Sequence, residues 1–142
     1  MFHISVKTDY AILLMLALAE HYNDGRTSLR TVAREKRLPY RFLGNIAHSL
    51  KRAGLIDSKE GAAGGYYLLR APSRISVGDI VRAIDGPTSV ARCMISTGTC
   101  PKFSTCTLPP LWTRVTLRIN RAFDRLSLFT LLRNPRRAAI RL

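Results

Sequence analysis

Apolar residues recur at helical spacing in several segments of this 142-residue chain. The first segment, about residues 5–22, is apolar on most of its circumference, which predicts a buried helix. Two shorter segments follow, about residues 28–37 and 40–53, and each keeps its apolar residues on one face. Further helical patterns cover about residues 76–85 and 111–134. The pattern therefore predicts a mainly α-helical chain whose longest amphipathic helix lies near the C-terminus.

The boundary between the second and third helices indicates a tight turn. Ser28 is a typical N-cap for the second helix, and Leu38-Pro39 interrupts the helical pattern because a residue before proline is disfavoured in the helical region. Pro39 is suited to the first turn of the third helix, and Gly54 is suited to the position just after its end. Two short helices joined in this way are typical of a helix-turn-helix unit.

Two short β-prone runs follow the third helix directly. Residues 55–59 and 66–70 flank a glycine-rich turn over residues 60–65, which predicts a β-hairpin. A hairpin at this point is the wing of a winged helix-turn-helix, and we expect that DNA-binding domain to cover residues 1–85. The alternative is a phosphate cradle at Gly64-Gly65, but neither a Lys-Ser/Thr pair nor a helix start follows these glycines.

The net positive charge of the chain indicates which kind of partner the predicted domain binds. The chain has 23 Lys and Arg against 9 Asp and Glu, a net charge of +14, and nine of the basic residues lie between residues 26 and 59. A basic face alone is usually just solvated, but on a winged helix-turn-helix it favours double-stranded DNA as the partner. The candidate DNA contacts, chosen by their positions, are Arg30, Arg34, Tyr40, Arg41, Asn45, Lys51 and Lys59.

Other classes of protein fit the sequence less well. The apolar run over residues 11–19 is too short to cross a membrane and has no signal-peptide cleavage pattern after it, so we expect a cytoplasmic protein without a membrane partner. The three histidines are too scattered to assemble a catalytic triad or a Cys-His pair, so we expect no enzyme.

All three cysteines, Cys93, Cys100 and Cys106, lie close together in a segment of low periodicity, about residues 86–110. An odd number cannot form a complete set of intrachain disulfides. The spacing lacks the C-x2-C pairs of structural zinc sites, whereas a loop can wrap an iron–sulfur cluster with longer spacings. The sequence therefore favours a cluster-binding loop, with three unrelated free thiols as the alternative.

The last predicted helix, residues 111–134, starts at Pro109-Pro110 and has no later element to cover it. Its apolar stripe consists of Trp112, Val115, Ile119, Phe123 and Leu126. Such a helix is most simply buried against its twin, which predicts a homodimer with residues 111–134 as the dimerisation helix. Residues 135–142 then form a basic tail.

The order of these features resembles a known bacterial family. The resemblance is carried by Asp9-Tyr10-Ala11, the run from Leu50 to Ile56, Gly64-Gly65-Tyr66, the run from Ile75 to Gly86, and the three cysteines followed by Leu111-Trp112. Over about residues 4–130 the chain is similar to iron–sulfur transcription regulators of the IscR and NsrR type. This resemblance implies a homodimeric repressor that binds operator DNA under control of a cluster sensing nitric oxide, iron or redox state. A cluster-free winged-helix repressor without a sensing role is the alternative.

The resemblance also bears on the cluster ligands, and it implies that the three cysteines are among them. IscR-type members have a histidine three positions after the third cysteine, where this chain has Pro109, which cannot bind iron. NsrR-type members use an aspartate of a Thr-Asp pair in the first helix of the partner subunit, and Thr8-Asp9 matches that pair. The resemblance thus implies Asp9 as the fourth ligand and a [4Fe–4S] rather than a [2Fe–2S] cluster. The alternative role of Asp9 is a first-turn carboxylate favoured by the helix dipole.

Overall fold

The computed structural model describes residues 3–95 and 100–133 of the chain. Its helices are α1 (Val6–Glu20), α2 (Leu29–Lys36), α3 (Tyr40–Arg52), α4 (Val77–Asp85), α5 (Arg92–Ile95), α6 (Pro109–Arg125) and α7 (Leu128–Arg133). Two strands, β1 (Ile56–Lys59) and β2 (Gly65–Leu68), and a single 3-10 turn (Pro72–Arg74) lie between α3 and α4. The predicted class, mainly α with a small β-hairpin, is therefore confirmed.

Helix α1 forms the centre of the hydrophobic core. Its residues Ala11, Leu14 and Met15 are fully buried, and it packs against α2, α3, α4, α7 and strand β2. Ser5 caps the helix by accepting a hydrogen bond from the Thr8 amide at 3.2 Å. Burial on nearly all sides explains why the helix is apolar around most of its circumference.

The helix-turn-helix is terminated by local signals. Ser28 caps α2 by accepting a hydrogen bond from the Thr31 amide at 3.1 Å. Pro39 is the N-cap of α3, which begins at Tyr40 as the sequence predicts. After α3, Gly54 has φ +70° and Leu55 donates its amide to the Leu50 carbonyl at 3.1 Å, the arrangement of a Schellman cap.

Strands β1 and β2 pair antiparallel, with Ile56 opposite Leu68 and Lys59 opposite Gly65. The hairpin is thus confirmed, with strands slightly shorter than the predicted runs 55–59 and 66–70. Thr27 extends the sheet by an isolated bridge, because its amide and carbonyl exchange hydrogen bonds of 2.9 Å with Tyr66. The wing is therefore attached to the segment just before α2 as well as to α3.

The prediction of one continuous helix over residues 111–134 is wrong. Helix α6 ends at Arg125, Leu126 is extended with φ −91° and ψ 102°, and α7 begins at Leu128. The physical reason is tertiary: Ser127 forms a β-bridge with Ser76, and Leu128 is fully buried in the core. The Ser127 hydroxyl also accepts a hydrogen bond from the Thr130 amide at 3.1 Å, which caps the new helix.

The sequence predicted that the cysteine segment, residues 86–110, is a loop, but part of it is helical. Cys93 lies in the short helix α5, and α6 already starts at Pro109. Residues 96–99, the last residue of the predicted dimerisation helix and the basic tail 135–142 lie outside the described residues. No helix within the described ranges is long and apolar enough to cross a membrane.

Candidate functional site: the basic face of α3 and the cysteine segment

Helix α3 has one buried and one exposed face. The buried face carries Leu43, Ile46, Ala47 and Leu50, which are at most 3% exposed. The opposite face carries Arg41 and Asn45, and Tyr40 and Lys51 lie at the edge between the two faces; all four are exposed. Apolar residues at helical spacing produce this division, because only one side of a surface helix can contact the core.

All seven predicted DNA contacts are exposed: Arg30, Arg34, Tyr40, Arg41, Asn45, Lys51 and Lys59. Arg30 and Arg34 lie on α2, the next four residues on α3, and Lys59 at the end of β1. These elements contact one another, since α2 packs against α3 and α3 against β1.

Aromatic rings orient several of the guanidinium groups. The Arg30 guanidinium lies over the Tyr40 ring, 5.5 Å from its centroid, and that of Arg41 lies 4.7 Å from the Phe42 centroid. Stacking of this kind limits the freedom of an arginine while its N–H donors stay available. The pair of Arg30 and Tyr40 links α2 to the start of α3.

Sequence reasoning missed Arg26 as a candidate contact. Its guanidinium lies over the ring of Tyr67 in β2, 5.8 Å from the centroid, and the side chain is exposed. The pairing of Thr27 with Tyr66 brings these two residues together. A bridge between segments almost 40 residues apart leaves no local signal, so only the fold could reveal Arg26.

Lys51 is held in an ion pair rather than projecting alone. Its Nζ lies 2.9 Å from the Asp57 Oδ1 and donates to the Ser58 hydroxyl at 2.9 Å. The hydrogen bond with Asp57 raises the pKa of Lys51 and lowers the pKa of Asp57. Lys51 thus joins α3 to β1, and its charge is partly compensated before any phosphate approaches.

The start of the cysteine segment is attached to the N-terminal end of α1. Asp85, the last residue of α4, accepts hydrogen bonds from the Ser5 hydroxyl at 2.6 Å and the Thr8 hydroxyl at 2.7 Å. Partial burial opposes ionisation of Asp85, but the hydrogen bonds from Ser5 and Thr8 outweigh it and lower the pKa. The residue next to Thr8 is Asp9, which is exposed on the first turn of α1.

The three cysteines are free and partly exposed. Cys106 Sγ accepts a hydrogen bond from the Leu108 amide at 3.5 Å. As a donor set, three thiols suit iron–sulfur chemistry. Nevertheless, the described part of a single chain contains no group of three Cys, His, Asp or Glu side chains placed to hold a metal ion.

Comparisons with known proteins identify the group to which the chain is related. The family model described as Rrf2, iron-dependent transcriptional regulator, matches residues 4–134. The HTH-type transcriptional regulator CymR of Bacillus subtilis is 40% identical over 86 residues, which are 61% of this chain and 62% of that protein. The HTH-type transcriptional regulator IscR of Yersinia pestis is 29% identical over 131 residues, 92% of this chain and 79% of that protein.

Solved structures agree with this relationship. IscR of T. potens superposes with a TM-score of 0.72 at 29% identity, covering 96% of this chain and 90% of the other. CymR, named there as the global cysteine regulator of B. subtilis, superposes with a TM-score of 0.74 at 30% identity, covering 99% and 98%. These relatives are regulators rather than enzymes, in line with the expectation from the sequence. The chain therefore belongs to the Rrf2 family and is a transcriptional regulator.

Proposed function

We propose that the protein is a homodimeric repressor that binds double-stranded operator DNA through α3 and the wing. The observation that carries this proposal is the exposed basic face of α3 beside the β-hairpin, with all seven candidate contacts exposed on adjoining elements. A B-DNA major groove, about 12 Å wide, admits an α-helix. Helix α3 is therefore the element that reads the sequence.

The side chains divide into two roles. Arg41 and Asn45 lie one turn apart on the exposed face of α3, where their forked hydrogen-bonding groups suit guanine and adenine respectively. Tyr40 lies at the start of α3 under the guanidinium of Arg30 and adds a contact to bases or phosphates. Arg30, Arg34, Lys51 and Lys59 surround this face and suit the phosphate backbone, which sets register rather than sequence. Arg26, which stacks on Tyr67 of the wing, is an additional candidate for contact with the phosphate backbone.

The DNA proposal is tested by binding to duplexes selected by the protein from a random pool. We expect selection of a two-fold symmetric site and an affinity that falls steeply with salt, because each neutralised phosphate releases counterions. A flat salt response, or no enrichment of any duplex, would contradict the proposal.

We further propose that an iron–sulfur cluster controls the DNA affinity. The support is the donor set of Cys93, Cys100 and Cys106 and the family description as iron-dependent. Asp9 is the proposed fourth ligand, supplied from the partner subunit, which favours [4Fe–4S] over [2Fe–2S]. The cluster would supply a centre that reacts with nitric oxide or oxidants, or responds to iron supply. The proposal draws its ligands from both subunits of the dimer, the three cysteines from one and Asp9 from its partner.

A second candidate is a regulator without a cluster that responds to thiol chemistry. It is favoured by the similarity to CymR, whose solved structure is named as that of a global cysteine regulator. Three free, partly exposed thiols are also what such a response needs.

Anaerobic purification separates the two candidates. The cluster proposal expects a brown protein with iron and sulfide in near-equal amounts, lost in Cys100→Ser but retained in the matched surface variant Thr113→Ser. A colourless, iron-free wild-type protein that still binds DNA would support the second candidate. Asp9→Ala should lose the colour if Asp9 is a ligand. If the cluster in Asp9→Ala lasts as long as in the wild type, Asp9 is not a ligand, but the cluster proposal itself stands.

A further inference from the structure

The two ends of α6 are attached to the rest of the molecule very differently. At the C-terminal end, the Leu126 carbonyl accepts the Val77 amide at 2.7 Å and the Leu128 amide donates to the Ile75 carbonyl at 2.9 Å. Away from that end, Leu111 and Leu117 are about half exposed, at 49% and 48%. Helix α6 is therefore joined to the core by backbone hydrogen bonds at its C-terminal end, which we call the α4–α6 junction (residues 75–79, 82 and 124–128). Elsewhere it packs against the short helix α5.

An arginine connects the two helices at this junction. Arg82 Nη1 lies 2.9 Å from Asp124 Oδ1 in α6, and Arg82 Nη2 lies 3.1 Å from Asp79 Oδ1 in α4. Gly78 is buried in α4, and a Cβ at this position would overlap the Asp124 carboxylate. The close approach of α6 to α4 thus depends on a glycine in α4 and a carboxylate in α6.

The ion pair at the junction is not an obvious source of stability. The side chains of Arg82 and Asp124 are 43% and 46% exposed, and ion pairs this exposed contribute little to folding. Asp124 is also the only acidic residue among residues 86–142, which contain ten basic ones. Its charge is paired specifically with Arg82 of α4.

A direct path leads from this junction to the DNA-reading face. Helix α4 packs against α3, whose exposed side is the proposed DNA-reading face, while α6 carries the half-buried apolar stripe proposed as the dimer interface. In a symmetric dimer, the angle between α6 and α4 therefore sets the separation of the two α3 helices. That separation must match half-sites about one helical turn, or a multiple of it, apart.

We propose that the Arg82–Asp124 pair, seated on Gly78, sets this angle and thereby selects the half-site spacing of the operator. Arg82 and Asp124 are positioning residues and do not touch DNA. The inference rests on the proposed dimeric DNA-binding function and adds the element that determines its spacing.

The test compares Asp124→Asn with the matched control Glu20→Gln. Glu20 forms an exposed ion pair with Lys36, 2.7 Å long, that joins α1 to α2. Both variants remove one negative charge, so they change the net charge of the protein by the same amount. The probes are duplexes selected by the wild-type protein, and the same duplexes with one or two base pairs added or removed between the half-sites.

We expect the wild type and Glu20→Gln to prefer one spacing. In Asp124→Asn, that preference should fall by about three- to fivefold, as expected for loss of an exposed ion pair. The double exchange Arg82→Asp with Asp124→Arg should restore the preference, because the new arginine faces Asp79 and the new aspartate. Light scattering and thermal melting must show that each variant remains a folded dimer, as the small contribution of the pair predicts.

Two results would overturn the inference while leaving the DNA function intact. One is a spacing preference in Asp124→Asn equal to that of Glu20→Gln, and the other is a wild-type protein that binds the selected duplexes without any preference. If the wild type binds no duplex, the proposed function itself fails and the inference with it. An unfolded or monomeric Asp124→Asn would also contradict the inference, because the pair would then be needed for folding or assembly.

Discussion

Asp85 illustrates how a single side chain connects distant parts of the fold. It ends α4, yet it accepts hydrogen bonds from Ser5 and Thr8 at the start of α1. Thr8 is fully buried, so its hydroxyl must find a partner inside the protein. The carboxylate also lies near the N-terminal end of α1, where the helix dipole favours a negative charge.

This arrangement predicts a specific pH dependence. The pKa of Asp85 in the folded protein is lowered below its ordinary value of 3.8, so its ionised form stabilises the fold above about pH 4, and this stabilisation is lost as the pH falls through the lowered pKa. Asp85→Asn should therefore cost about 1 kcal/mol at neutral pH, allowing for the exposure of the carboxylate. Thermal melts between pH 7 and pH 2.5 should show wild type and variant converging on acidification.

Asp24→Asn serves as the control, because it also removes an acidic charge from this basic chain but lies on the exposed turn after α1. A gap between wild type and Asp85→Asn that stays constant over the whole pH range would contradict the prediction.

At the scale of elements, the interruption between α6 and α7 turns one predicted helix into two with different surroundings. Leu128 is fully buried, whereas Leu117 in α6 is 48% exposed. Helix α7 packs against α1 and so closes the core from a side that the predicted straight helix would have left open.

The buried position of Leu128 predicts a large effect of truncation. Leu128→Ala should lower the free energy of unfolding by about 2–5 kcal/mol, as for other buried leucines, because it leaves a cavity next to α1. Urea denaturation measures the change, with Leu117→Ala as a control that should shift it by less than about 1 kcal/mol. Equal losses in the two variants would argue that α7 does not pack on the core.

Helix α3 and the wing should respond differently to substitution in the DNA complex. Asn45→Ala should cost about 1–3 kcal/mol of binding to the selected site and relax the preference at one base pair. Lys59→Ala should weaken binding to all duplexes alike and lower the salt slope by about 1. Competition assays at several salt concentrations measure both effects. If Asn45→Ala weakens binding to all duplexes equally, Asn45 contacts the phosphate backbone of the DNA rather than a base.

At the scale of the whole molecule, the charge is divided unevenly. Residues 1–85 carry a net charge of +5, while residues 86–142 carry +9. Most of the excess therefore lies outside the winged helix-turn-helix. The overall charge favours a polyanionic partner, but the arrangement of α2, α3 and the wing is what makes DNA the specific proposal.

The half-buried apolar stripe of α6, which includes Val115, predicts the role of this helix in assembly. Val115→Glu places a charge on the apolar stripe and should convert the protein to a monomer, with at least a tenfold loss of affinity for a two-half-site duplex, about 1.4 kcal/mol. Leu117→Glu, on another side of α6, should remain dimeric. Light scattering and DNA titration test this prediction, and a dimeric Val115→Glu would refute the stripe as the interface.

Local sequence alone determined much of this protein: the division of α3 into two faces, the caps at Ser28 and Ser76, and the hairpin after Gly54. These features depend on side chains a few residues apart, so their signals survive in the linear pattern. The Ser76 cap is complete, since Asp79 returns a hydrogen bond to the Ser76 amide at 2.9 Å.

The tertiary structure decided what depends on distant contacts. The apolar pattern continues through Leu126 and Leu128, but α6 ends where Ser127 forms its bridge with Ser76 and Leu128 enters the core. Ser127 as an N-cap was the one local signal of that interruption. The stacking of Arg26 on Tyr67 and the pairing of Arg82 with Asp124 likewise join residues more than 40 positions apart. The periodicity of apolar residues shows which face of a helix or strand is buried in the core. It does not show which other helix or strand packs against that face.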